Sequence, residues 1–243
     1  MRALIFIIIA SVLLSGSVMG QTTKTAPSPG SFKASGYTRI EIAEDRTIIS
    51  GGSPEVKWTK DNATTTLKAA EIVIHAAKPQ AGKKTAGSFD VEKIVLTGGN
   101  PQVMSEQDGF LLEAEKSITI NIEKGAAGGF LQSATTVGRA HIRQVQIEDN
   151  SIVDAMGDNL EITEGGDKAV LTGNAVINSE SAAYGGTISG EIATITGLRK
   201  KDALPAKPRI VMESPNQQST LTVNEKPQSE QPGSGSGKNA DKH

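Results

Sequence analysis

Few residues of this chain combine the types and spacing that chemistry requires. Three histidines are present, His75, His141 and His243. An imidazole works as a base or metal ligand only beside a second group at fixed reach. His75 lies in an alternating apolar run with no second ligand at useful spacing. His141 stands where comparable segments carry Glu, Gln or Val, which predicts a surface position. Acids recur at Glu71, Glu115, Asp158 and Glu191, once per sequence unit, which predicts turn or solvent positions rather than an acid–base pair. The glycine-rich stretch from Gly125 to Gly129 is not followed by Lys-Ser/Thr and is no phosphate loop. With no cysteine, thiol nucleophiles, CxxC redox chemistry and cysteine-bound zinc are excluded. The expectation is a non-enzymatic protein with no cofactor and no metal.

The bulk properties narrow the partners. Net charge is −2, from 25 basic and 27 acidic residues that are well mixed. Nucleic-acid binding needs a concentrated basic face, so no nucleic-acid partner is expected. Aromatics are only 3% of residues, which leaves few stacking platforms. At the start, Met1-Arg2 precedes an apolar run from Ala3 to Leu14, then small residues up to Gly20. That pattern predicts a cleaved secretory signal over 1–20, with an uncleaved anchor as the alternative. No cysteine follows the cleavage point, so no lipoprotein anchor is expected. Residues 21–36 read as a disordered linker and 199–243 as a mostly disordered tail, both rich in Gly, Ser, Pro and Thr. The folded domain is expected over 37–198.

Within that span a motif Gly-x-Pro/Ala-x-Val/Ile recurs. Its copies are Gly52 to Val56, Gly99 to Val103, Gly138 to Ile142 and Gly173 to Ile177, with spacings of 47, 39 and 35 residues. A small residue, an acid and an apolar stretch follow each copy after 15 to 19 residues. The apolar period inside the units is two: Leu112, Ala114, Ile118, Ile120 and Ile122 share one parity, and Glu113, Thr119 and Asn121 share the other. Ile72 with Ile74, Ile94 with Leu96, and Leu160 with Ile162 alternate likewise. Strands put alternate side chains on opposite faces, so each run has one apolar side. The spacing predicts an all-β, antiparallel, repeat-built domain.

The ordered pattern, best seen in Asp158 to Ile162 and then Lys168 to Ile177, resembles the OstA-like family of LptA-type lipopolysaccharide transport proteins. The resemblance covers about residues 37–198. It implies an open β-jelly roll (β-taco) of two facing antiparallel sheets around a groove for acyl chains. It also implies a periplasmic location, lipopolysaccharide or a related glycolipid as ligand, and edge-strand pairing with itself or other transport proteins. The groove-lining candidates are Ile72, Ile74, Ile94, Leu96, Leu112 and Ile118, together with Ile120, Ile122, Leu160, Ile162 and Leu171. Candidate edges are Thr38 to Ile42 and a late strand, either near Thr187 to Thr196 or near Arg209 to Met212. The sequence departs from the pattern in its first copy, in the long segment from Lys78 to Ser88, and beyond Arg199. Lys78, Lys83 and Lys84, like Arg199, Lys200 and Lys201, read either as phosphate contacts at a groove mouth or as solvated loops. Two other readings stay open: a secreted structural β-repeat protein without a lipid ligand, and a membrane-tethered member of the same transport system.

Overall fold

The alternating runs become antiparallel β-strands. The structure is a computed structural model that describes residues 31–60, 63–77, 91–122, 131–146, 150–181, 184–198, 208–216 and 218–225. The first eight strands are β1 (Ser31–Ile42), β2 (Arg46–Lys60), β3 (Ala63–Lys68), β4 (Glu71–Ala76), β5 (Val91–Thr97), β6 (Gln102–Ser105), β7 (Phe110–Ala114) and β8 (Ser117–Asn121). The remaining eight are β9 (Ser133–Val137), β10 (Ala140–Val145), β11 (Ile152–Gly157), β12 (Asn159–Thr163), β13 (Lys168–Glu180), β14 (Tyr184–Thr196), β15 (Arg209–Glu213) and β16 (Thr220–Glu225). Among the described residues the one helical piece is a 3-10 turn, Glu164–Gly166.

From β2 the hydrogen-bonded ladder divides. One branch runs through β3, β6, β7, β10 and β11, the other through β4, β5, β8, β9 and β12, and both meet again on β13. The long strands join the branches, since Arg46–Ser50 of β2 pairs with β4 and Glu55–Lys60 pairs with β3. On β13, Lys168–Thr172 pairs with β12 and Val176–Glu180 with β11. β1 covers β2, and β14 covers β13. β16 and β15 then pair with the two halves of β14. The fold is an all-β jelly roll of two facing antiparallel layers. Layer I holds β3, β6, β7, β10, β11 and β16; layer II holds β4, β5, β8, β9, β12 and β15.

The repeated motif is the corner of this fold. Each Gly-x-Pro/Ala-x-Val/Ile copy carries the chain from layer II to layer I, and each small-acid step carries it back. The corner residues Gly99 and Asn100 have φ of 68° and 53°, and Gly173 and Asn174 have 74° and 48°. That left-handed backbone is cheap only for Gly and tolerable for Asn, which explains the Gly-Asn pair. Successive corners bond to each other: Ala70 N–H donates to Gly98 O, Gly98 N–H to Lys116 O, and Glu115 N–H to Arg139 O. The recurrent acids finish these turns. Glu115 accepts from the Arg139 backbone N–H, Asp158 from Asn174 Nδ2, and Glu191 from Asn216 Nδ2. The opposite rim, the mouth, is where hairpins turn within one layer.

The core is the sheet-to-sheet layer, where inward Ile, Leu, Val and Ala side chains from both layers are almost fully buried. Two expectations about its extent need correction. β1 begins at Ser31, inside the predicted linker, and β15 and β16 lie inside the predicted tail. These strands cap the stack and are mostly exposed, so their polar composition hides their pairing. β14, proposed as an edge over Thr187 to Thr196, is interior because β15 and β16 cover it. β1 and β15 are edges, as is β16. The predicted signal segment, the Lys78, Lys83, Lys84 group, Gly125 to Gly129, and Arg199, Lys200 and Lys201 lie outside the described residues.

Candidate functional site: the layer between the sheets

In antiparallel register, directly opposed residues face the same side, so the pairings trace continuous inward rows. In layer II the row nearest the corners runs Ile49, Ile72, Leu96, Ile118, Thr136, Leu160, Leu171 and Ala193. The next row toward the mouth contains Ile74, Ile94, Ile120, Ala134, Ile162, Ala169 and Ile195. Layer I answers with Val56, Leu67, Val103, Leu112, Ile142, Ala155 and Ile177. Ten of the eleven groove candidates therefore belong to layer II, Ile122 just beyond the end of β8, and only Leu112 to layer I. The layer I half of the wall was missed, although Val103 and Ile142 sit at the last position of their motif copies.

All eleven candidates line the apolar layer between the two sheets and none is more than 6% exposed. That layer is filled by the protein's own aliphatic side chains along its length. Its ends differ. Ile40 and Ile42 of β1 continue the layer II rows but are 45% and 70% exposed, while Leu221 and Val223 of β16 continue the layer I rows at 64% and 59%. Six of the seven exposed large hydrophobics among the described residues sit on β1, β15 and β16. The apolar interior thus emerges at both ends of the stack.

Layer I also has a row at its mouth that mixes polar and aromatic side chains: Phe32, Trp58, Thr65, Ser105, Phe110 and Gln144. Phe32 and Trp58 stack with ring centroids 5.1 Å apart. Ser105 Oγ donates to Asp108 Oδ2 and Gln144 Nε2 to Asp108 O, so these buried polar groups clamp the β6–β7 turn onto β10.

The outer face of layer I holds a cluster built around His141. His141 Nδ1 lies 2.9 Å from Glu113 Oε2 and its Nε2 lies 3.1 Å from Asp154 Oδ2. Gln102 Nε2 donates to the other Glu113 oxygen at 2.7 Å. His141 is thus half-buried and bonded, not the free surface position expected. Both ring nitrogens are occupied by carboxylates, so it has no nitrogen to offer a metal. Among the described residues no group of three metal-ligating side chains forms.

The fold and this layer define a class: an all-β jelly roll with a continuous aliphatic interior open at its ends. No family model matches the chain, and no curated protein matches it. Among solved structures it is similar to LptH of Pseudomonas aeruginosa, the LptA-homologous periplasmic component of the lipopolysaccharide transport device. The two share 17% identity over 58% of this chain and 94% of that one, with a TM-score of 0.36. A likeness that distant carries no argument for function.

Proposed function

We propose that this protein is a periplasmic carrier that shields the acyl chains of lipopolysaccharide or a related glycolipid during transport to the outer membrane. One observation carries the reading: the largely aliphatic layer that surfaces at both ends of the stack. Branched aliphatic walls make no hydrogen-bonding demand on a guest. Burying a methylene gains roughly 0.8 kcal/mol, so a chain of about 12 carbons gains on the order of 10 kcal/mol before the costs of opening and ordering. Because the layer is filled, a guest enters only if the layers part at the mouth, with the glycine corners as the axis. The exposed backbone edges of β1, β15 and β16 support pairing with another copy or with other transport proteins by strand addition.

The complete burial of the layer favours a second reading, a structural β-repeat protein whose interior binds nothing. Photo-crosslinkers at Ile120 and Ile162, inward and buried, and at Thr119 and Glu161, outward on the same strands, separate the two. The carrier, expressed in a diderm host, labels lipopolysaccharide from Ile120 and Ile162 only, and mass spectrometry finds the lipid in the purified protein. Equal or absent labelling at both parities leaves the structural reading standing.

A further inference from the structure

The outer faces of the two layers treat their cations differently. On layer I several basic side chains have a carboxylate: Lys57 and Lys68 flank Glu55 at 3.5 and 3.3 Å, and His141 lies between Glu113 and Asp154. On layer II the outward row nearest the mouth places Arg46, His75 and Lys93 directly opposite one another on β2, β4 and β5. Among the described residues none of the three makes an ion pair. Asn121 continues the row opposite Lys93, and farther along it Arg209 and Lys168, the latter paired with Glu164 at 3.9 Å, face Thr196. No acid occupies a register position in these pairings.

Arg46 and Lys93 are two cations on either side of His75 with no acid in register with any of the three, and neighbouring like charges on one sheet face repel. An anion between them removes that repulsion. Adjacent strands lie about 4.8 Å apart, so Arg46 and Lys93 leave the sheet about 10 Å apart on either side of His75, within the reach of their long stems to a single phosphate between them. The nearest acids, Glu44, Asp45 and Glu92, sit on the turn and strand ends beside the row rather than within it. The inward neighbours of His75 and Lys93 are Ile74 and Ile94, and β4 ends one residue after His75. An anionic head on the stripe is therefore at the rim over which its chains would pass into the layer.

We infer that Arg46, His75 and Lys93 form the headgroup subsite for an anionic, phosphate-bearing amphiphile whose acyl chains occupy the layer between the sheets. This rests on the carrier reading. The chemistry recognised is a phosphate monoester or diester, and the attached chains distinguish the lipid from free phosphate.

The test uses the full chain and three probes: oleoyl lysophosphatidic acid, uncharged monoolein and inorganic phosphate. The triple variant Arg46→Gln/His75→Gln/Lys93→Gln binds the phosphate lipid on the order of tenfold more weakly, with a flattened salt dependence, and binds monoolein unchanged. Lys68→Gln, which removes a cation already paired on layer I, leaves both lipids unaffected. The single variant Lys93→Glu gives the same discrimination should the triple variant fold poorly. If the unmodified protein binds neither lipid, the carrier reading itself falls and takes this one with it. If both lipids bind and the variants hold the phosphate lipid as tightly as before, the subsite alone is overturned. Inorganic phosphate binding as tightly as the lipid overturns it too, as does equal loss of both lipids in a variant that melts normally.

Discussion

His141 on β10 bonds through Nδ1 to Glu113 Oε2 at 2.9 Å, a contact between residues 28 positions apart in sequence. Its Nε2 reaches Asp154 at 3.1 Å, so one side chain ties both neighbours of β10 together. Burial pushes the imidazole pKa down, but the hydrogen bonds to Glu113 and Asp154 and the two charges outweigh it, and the pKa is raised above 6.5. A raised folded-state pKa means that protonation stabilises the fold. The contribution is fully present below pH 6.5 and disappears as pH climbs through the folded-state value. Thermal melts should therefore show His141→Gln costing about 1 kcal/mol on the acid side and much less on the alkaline side. A cost that is the same at every pH would refute the assignment.

Leu96 is fully buried in layer II between Ile72 and Ile118. Truncation to alanine removes packing from a filled layer, and Leu→Ala substitutions in such cores cost about 2–5 kcal/mol. The outward neighbour Thr97, exposed, should tolerate alanine within about 0.5 kcal/mol. Urea midpoints of the two variants measure the contrast. Near-equal midpoints would mean that the inward face is not a packed layer.

Much of this fold is legible in the chain because period-two alternation survives wherever a strand has one dry face. Ile118 and Ile120 announce β8, and the Gly-Asn pairs mark the corners by their backbone demands. Edge strands escape the same reasoning: Thr220 to Asn224 is exposed on both faces, so its side chains carry no burial pattern. The side-chain clusters escape for a different reason. Glu113, His141 and Asp154, like Arg46, His75 and Lys93, become neighbours only through strand register. Register neighbours 13 to 29 residues apart in sequence give no sign of it until the ladder order is known.

Gly52 turns the β2 corner with φ of 73°, and a Cβ there would lie 2.5 Å from the backbone oxygen of Gly36 on β1. Alanine at 52 brings left-handed strain and a backbone clash, together about 1–3 kcal/mol. β1 is the edge and mostly exposed, so the cheapest relief is to release it. Hydrogen exchange of Gly52→Ala should then accelerate at Ser31–Ile42 while β4, β5 and β8 keep their protection. Acceleration spread evenly over the sheet, or none at all, would contradict this account of the corner.

The open end at β16 provides the last prediction. Leu221 and Val223 sit opposite Ile188 and Gly186, continue inward rows, and are left 64% and 59% exposed, with no strand beyond them among the described residues. Exposed aliphatic residues on an uncovered edge favour addition of another strand, and lysine on such an edge opposes it. If copies join through this end, light scattering should show mass rising with concentration. Leu221→Lys/Val223→Lys should hold the protein monomeric at concentrations where the parent associates. Because both side chains already face solvent, the variant should lose no more than about 0.5 kcal/mol of stability. Loss of association then reports on the contact rather than on unfolding. Association that persists in this variant but vanishes on charging Ile40 and Ile42 would move the interface to β1, and persistence in both would remove the ends from any role in assembly.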